Sequence, residues 1–343
     1  MGDIILMAIP VFFLLIGLEV WIDHRRGTRA YRLSDALSSL SIGGLSQITG
    51  FYSKAVGILL YGLAFRSFAV TDLPAGDWRV WAAAVLAYDF CYYWKHRAGH
   101  EIALLWASHV THHSSEQYNL TTALRQSSTD FLLSWIFYLP MALLGFPTTI
   151  FIAAGLINLL YQYWIHTRHV GRLGWFDRVF ASPSNHRVHH GQNDYCLDRN
   201  YGGILMLWDH LFGTFAAERA DEPVVYGIRG PLASYDPLRA NLHVYGDLAR
   251  QAARAGSWRE RAALLLGPPG GRGAKAAWSG GDFRSFQPER PRLAGRKAFL
   301  LFLPLMGVSI AWLAVAPSLP ALAAAAGAAV LTGALRLFGQ GLS

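Results

Sequence analysis

Histidine is the residue type whose spacing stands out in this chain. "SPSNHRVHHG", Ser182 to Gly191, sets His186, His189 and His190 at i, i+3 and i+4. "SHVTHHSS", Ser108 to Ser115, repeats that spacing with His109, His112 and His113, and "KHRAGHE" adds His96 and His100 at i and i+4, followed by Glu101. On a helix these offsets share one face, so each motif is expected to aim its imidazoles at a common point. Neutral imidazole is a good ligand for iron, zinc, copper or nickel. A lone pair of histidines is as often a hydrogen-bonded core pair as a metal site, but three motifs of kindred spacing point to metal. "YQYWIHTRH" adds His166, with either Gln162, one turn earlier, or His169, three residues later, as a further ligand or supporting partner. His24, His210 and His243 lie outside any such pattern and read as ordinary polar residues.

The number of imidazoles bears on the metal. Zinc takes about four ligands, three of them from protein at a catalytic site, so one zinc would leave most of these side chains idle. Two five- or six-coordinate metals would use them. The two cysteines, Cys91 and Cys196, form no CxxC pair, so neither a disulfide framework nor a thiolate zinc site is expected. A nitrogen-rich, sulfur-free pair of metals suits a non-haem di-iron centre. Placed at the edge of a hydrocarbon phase, its use would be to activate dioxygen against C–H bonds of a lipid that never leaves the bilayer. A zinc hydrolase would need neither oxygen nor reductant. A metal-binding or transport protein is the alternative of another class, and it suffers from the expected absence of ionisable residues along the middle of the spans.

The elements that must position these residues are apolar. Of 343 residues, 53% are hydrophobic and only 15% charged, which makes a multi-span, all-α membrane protein the default. The net charge of +8 comes from basic residues beside apolar runs, which argues against a nucleic-acid partner. Spans are expected near 4–22, 45–65 and 79–95, then a short hairpin of 131–146 and 148–165, then 298–316 and 319–338. The first is read as a retained helix because it lacks a basic n-region and a cleavage site. Arg25, Arg26, Arg29 and Arg32 make the first loop cytoplasmic by the positive-inside rule. Alternation from there brings every histidine cluster to that same face, the expected setting being a bacterial inner membrane. "GPPGGRGAK", Gly267 to Lys275, is a loop rather than a phosphate cradle. "NLT" at Asn119 matches a glycosylation acceptor whose predicted cytoplasmic position argues against use. Asn193, Asp198, Asn200, Tyr201 and Asp209 either orient ligand imidazoles or shape turns, and turn chemistry is the favoured reading.

Taken with their flanking text, these motifs resemble the fatty acid hydroxylase and sterol desaturase superfamily, whose signature is HxxxH, HxxHH and a second HxxHH. The resemblance runs from about Tyr88 to Phe215, more loosely to Pro291. "YNLTTALRQS" and "DRNYGG" make it most similar to the branch acting on ether lipids. The resemblance implies transmembrane helices under a cytoplasmic cap that holds two iron ions, ligated by His96, His100, His109, His112, His113, His166, His186, His189 and His190. It also implies a functional role for Glu101, a lipid substrate, O2, and an external reductant: tetrahydrobiopterin in the ether-lipid branch, or a small redox protein such as cytochrome b5 or a ferredoxin in the sterol and fatty-acyl branches. Asn185 stands where the ether-lipid branch has a further histidine, and that branch has an acidic residue near the position of Arg168. On this reading residues 1–296 form the di-iron domain and 297–343 a C-terminal helix pair.

Overall fold

The computed structural model describes residues 2–270, 285–289 and 291–343, so residues 271–275 of the expected Gly267–Lys275 loop lie outside the described residues. Among the described residues the chain is helical, with two isolated bridges and no strand. The long helices of the first part are α1 (Gly2–Arg26), α2 (Leu33–Phe68), α3 (Trp78–Glu101) and α4 (Ala103–His113). Three short helices follow, α5 (Leu120–Ala123), α6 (Phe131–Ser134) and α7 (Leu139–Leu143), before α8 (Thr148–Trp164). The cap adds α9 (Phe176–Val179), α10 (Pro183–His189), α11 (Leu207–Leu211), α12 (Pro237–Arg254) and α13 (Trp258–Leu266). The chain closes on α14 (Gly295–Val315) and α15 (Ala321–Leu342).

Among the described residues four segments are long and apolar enough to cross a membrane: Leu6–Arg26, Leu33–Phe68, Gly295–Ser318 and Ala321–Leu342. The expected span at 79–95 is a helix, α3, but Asp89, Lys95 and Arg97 make it too polar to be one of the four. The expected hairpin also differs. Its first arm is broken into α6, a 3-10 turn and α7, with Pro140 restarting the helix where a backbone donor is missing, and α8 is only 17 residues long. The expectation that the spans hold no central ionisable residue fails at Lys54 in α2, and at Asp89, which is 1% exposed in α3.

Helix α2 is the axis of the bundle. Its Leu37 and Leu40 share a core with Ile16 of α1, Phe302 of α14 and Phe338 of α15, and its Leu45 and Ile48 share another with Trp312 and Leu335. Tyr61, near its far end, joins Ala84 of α3 and Ile150 of α8. The C-terminal pair thus packs directly on α2, with small residues such as Ala324 of α15 buried there. Near the cap, Gly43 lets α2 approach the chain so closely that a β-carbon there would lie 2.3 Å from the Leu124 carbonyl oxygen. That contact fixes the level of the strip that carries Arg125.

Candidate metal centre

The nine histidines come together in two adjoining groups. His96, His100, His109, His113 and His189 form one; His112, His166, His186 and His190 form the other, and within each the candidate ligand atoms lie within 4.8 Å of one another. The motifs do not each converge on one point as expected. Each HxxHH gives its i and i+4 residues to one group and its i+3 residue to the other: His109 and His113 against His112, His186 and His190 against His189. A helix explains this, since i+4 lies about 40° to one side of i and i+3 about 60° to the other. Two such helices facing each other, α4 and α10, therefore serve two centres with the same spacing. The groups touch where His113 stacks on His190 at 4.3 Å between ring centroids.

Four of the rings are fixed by backbone carbonyls. Nδ1–H donates from His96 to Tyr201 O (2.9 Å), from His112 to Arg125 O (3.0 Å), from His166 to Gln162 O (2.7 Å) and from His189 to Arg199 O (2.9 Å). A carbonyl can only accept, so these four rings carry their proton on Nδ1 and turn a bare Nε2 inward. Nε2 of His112 then faces Nε2 of His166 at 3.2 Å with neither carrying a proton for the other. Nε2 of His100, His189 and His190 are likewise buried without a partner. Protonating the rings is not the remedy, because burial holds His112 down to about 4 and His189 down to about 3. Lone pairs converging in a dry cage fit a cation between them. The donor set, all imidazole, suits iron.

The carbonyls are themselves held. Asp209, 0% exposed, accepts N–H bonds from Tyr201 (2.8 Å) and Gly202 (2.7 Å) and the hydroxyl of Thr214 (2.6 Å), while the Asn200 side chain ties its loop to Asn185 O and Ala216. Asp198 and Asn200 both sit at positive φ, where Asn and Asp are tolerated, and the loop they shape presents the carbonyls of Arg199 and Tyr201 to the two rings. Asp198, Asn200 and Asp209 thus act through backbone carbonyls, whereas the Tyr201 ring also packs on His96, His100 and His189, with centroids 5.3 Å apart at His100. On the other side, Arg125 is 2% exposed and donates to Thr111 O, to Ser114 Oγ, and to Ser38 and Ser39 of α2. Arg125, Asp35, which accepts from Ser115, and Asp89, which accepts from Ile204 N, Leu205 N and Trp208, escaped the sequence reading. The one hint was a charge in an otherwise apolar or uncharged stretch.

Neither candidate partner of His166 enters the cage. The Gln162 side chain bonds Tyr92 and Asn158, and only its backbone carbonyl serves His166. His169 instead faces Asp23 at 3.6 Å. Glu101 pairs with Arg97 at 3.0 Å and belongs to neither group. Asn185 closes a capping box with Ser182 at the start of α10 and belongs to neither imidazole group. Asn119 is 1% exposed and caps α5, unsuited to carry a glycan. His24 and His243 stay outside, and His210 stacks on Phe215.

A cavity of about 450 Å3 opens among α1, α2, α8 and α14 and reaches His109, His112 and His166. Its walls are apolar from Phe12, Phe13, Leu156, Leu160, Ile310 and Leu313. A lipid chain fits such a space.

An all-helical bundle with membrane-spanning helices and a buried polyhistidine cage defines an integral membrane metalloprotein. Residues 81–214 match the family model described as fatty acid hydroxylase, so through this stretch the chain is similar to that family. It is 43% identical over 244 residues to the alkylglycerol monooxygenase of Homo sapiens, covering 70% of this chain and 54% of that one. To the alkylglycerol monooxygenase of Danio rerio it is 44% identical over 230 residues, 67% of this chain and 51% of that one. Ornithine lipid hydroxylase OlsE of Rhizobium tropici is 32% identical over 186 residues, 54% and 56% of the two chains. The chain spans about half the length of the curated relatives it matches. No solved structure matches it.

Proposed function

We propose that the chain is a di-iron monooxygenase that hydroxylates a lipid C–H bond, consuming one O2, two electrons and two protons to give the alcohol and one water. The observation that carries this is the pair of adjoining imidazole cages opening onto an apolar cavity. Bound iron would supply the activation of dioxygen. His96, His100, His109, His113 and His189 would hold one ion, and His112, His166, His186 and His190 the other. The chain's own contribution is to fix the ring tautomers, exclude bulk water, and lay the lipid chain along the cavity wall beside His109, His112 and His166.

The concrete substrate we favour is an alkylglycerol ether, with tetrahydrobiopterin as the electron source, on the strength of the alkylglycerol monooxygenases among the relatives. The rival within the class is a sterol or fatty-acyl hydroxylase or desaturase fed by a ferredoxin or cytochrome b5. We give Glu101 a supporting part: Arg97 donates to Tyr93, whose hydroxyl meets Thr214, which donates to Asp209 beneath the His96 anchor. Residues 1–296 would carry the chemistry and the helix pair of 297–343 would buttress α2. Our reading puts the metal site on the cytoplasmic side by the positive-inside rule, and it is supported by the basic loop lying against the cap, where Arg26 donates to His169 O and Arg32 pairs with Glu116. The arginine- and alanine-rich composition favours a bacterial inner membrane. The test is anaerobic purification with metal analysis, then oxygen-dependent turnover of a lipid panel with pterin and ferredoxin supplied separately. Metal transport into liposomes without lipid turnover would instead favour the transport reading.

A further inference from the structure

One charge in the cavity has no opposite. The charged residues lining it are Lys54, Lys95 and Asp130, and the last two pair with each other at 2.8 Å. Lys54 sits within the membrane-spanning length of α2, and its Nζ donates to Gln47 Oε1 at 3.1 Å. Among the described residues no carboxylate lies within ion-pair distance of it. Its side chain folds back along α2 toward the cap: a β-carbon on Gly50, one turn earlier, would stand 3.1 Å from Lys54 Cε. Gly50 thus leaves room for the ammonium to lie toward the histidines rather than toward the far leaflet.

The rest of that face of α2 is small or polar where the cavity meets it: Gly43, Ser46, Gln47, Gly50, Ser53 and Gly57. The facing walls from α1, α8 and α14 are mainly apolar. An ammonium inside a membrane span, facing a cavity and lacking a counter-charge, is costly, and such residues mark ligand sites. The missing partner is an anion that arrives with a hydrocarbon chain.

We propose that Lys54, with Gln47 beside it, is a headgroup site for an anionic amphiphile, a single-chain lipid bearing a phosphate or carboxylate. The anion rests on Lys54 and Gln47, and the chain lies on the apolar walls. Fixing the head fixes which carbon lies beside His109, His112 and His166. This deepens the monooxygenase reading and rests on it for the identity of the cavity as a substrate site.

The test measures binding without turnover, on iron-loaded protein in nanodiscs of zwitterionic lipid, held anaerobic with no reductant. Dodecyl phosphate, dodecanoate, dodecanol and inorganic phosphate are titrated against wild type, Lys54→Met and Lys54→Arg. Wild type is expected to bind the two anionic amphiphiles at least about tenfold tighter than dodecanol, with inorganic phosphate weakest. Lys54→Met is expected to abolish that preference with dodecanol binding kept, and Lys54→Arg to retain it. Equal affinity of wild type for dodecanol and both anionic amphiphiles overturns the proposal, and that comparison decides even if Lys54→Met does not fold. Preference surviving in Lys54→Met also overturns it, as does inorganic phosphate binding as tightly as dodecyl phosphate, which would mark a free-anion site. Iron content and oxygen-dependent turnover are read on the same preparations. Their loss refutes the monooxygenase reading, whereas lost headgroup preference with both intact refutes only the Lys54 site.

Discussion

Nε2 of His112 and Nε2 of His166 face each other at 3.2 Å while the Nδ1 of each ring donates to a backbone carbonyl. Neither nitrogen has a proton for the other, and the dry surroundings make the opposed lone pairs costly unless a cation lies between them. Replacing His112 with Ala is therefore expected to remove metal from the second group and leave the first largely loaded. Oxygen-dependent turnover should fall by roughly a hundredfold or more, since both sites are needed. Metal counting on the purified variant checks this.

The cage should make the metal-free protein acid-sensitive. Buried His112 and His189 are held at about 4 and about 3, below an ordinary histidine, so the unfolded chain binds these protons more readily than the folded one. Stability of the metal-free protein is full above about pH 6.5 and is lost as pH falls toward 4 and then 3. Iron should flatten this slope until it dissociates. Thermal unfolding of metal-free and iron-loaded protein between pH 7 and pH 4 measures both.

Gly43 links the bundle to the second group. A methyl there would press on the Leu124 carbonyl at 2.3 Å, next to the Arg125 carbonyl that holds His112. Gly43→Ala is expected to destabilise the fold by about 1–3 kcal/mol and to lower occupancy of the second group more than the first. Equal occupancy of both groups in the variant would count against this link.

Asp209 should matter more than Glu101, though the sequence favoured turn chemistry for Asp209 and a functional role for Glu101. Asp209→Ala leaves the Tyr201 and Gly202 amides unpaired and loosens the carbonyl that holds His96, so metal affinity of the first group is expected to fall about 10–100-fold. The Glu101 pair is half open to solvent at 41% of the Glu101 side chain, and Glu101→Gln is expected to cost less than about fivefold in turnover. Metal titrations and turnover of the two variants rank them directly.

The local part of this architecture was legible in the sequence. Helical offsets named eight of the nine histidines, the text around His166 suggested the ninth, and apolar runs of full length marked α1, α2, α14 and α15. The division of each HxxHH between two groups was not legible, because it depends on how α4 and α10 face each other. The anchors of His96 and His189 were hidden for a related reason: backbone carbonyls carry no residue-type signal, and Tyr201 lies 105 positions from His96. Polarity within an apolar run was the overlooked signal. Asp89 gathers the amides of Ile204 and Leu205, Arg125 stitches α4 to α2, and Lys54 faces the cavity. Periodicity failed at 131–146 because Pro140 interrupts the backbone ladder even though the side chains remain apolar.

The central claim is two irons in one imidazole cage, and the most direct measurement is the iron content of anaerobically purified protein beside that of His112→Ala and His189→Ala. Two irons per chain in the wild type, and a deficit in each variant confined to its own group, is the predicted result. A single zinc per chain, or full iron content in both variants, would contradict it.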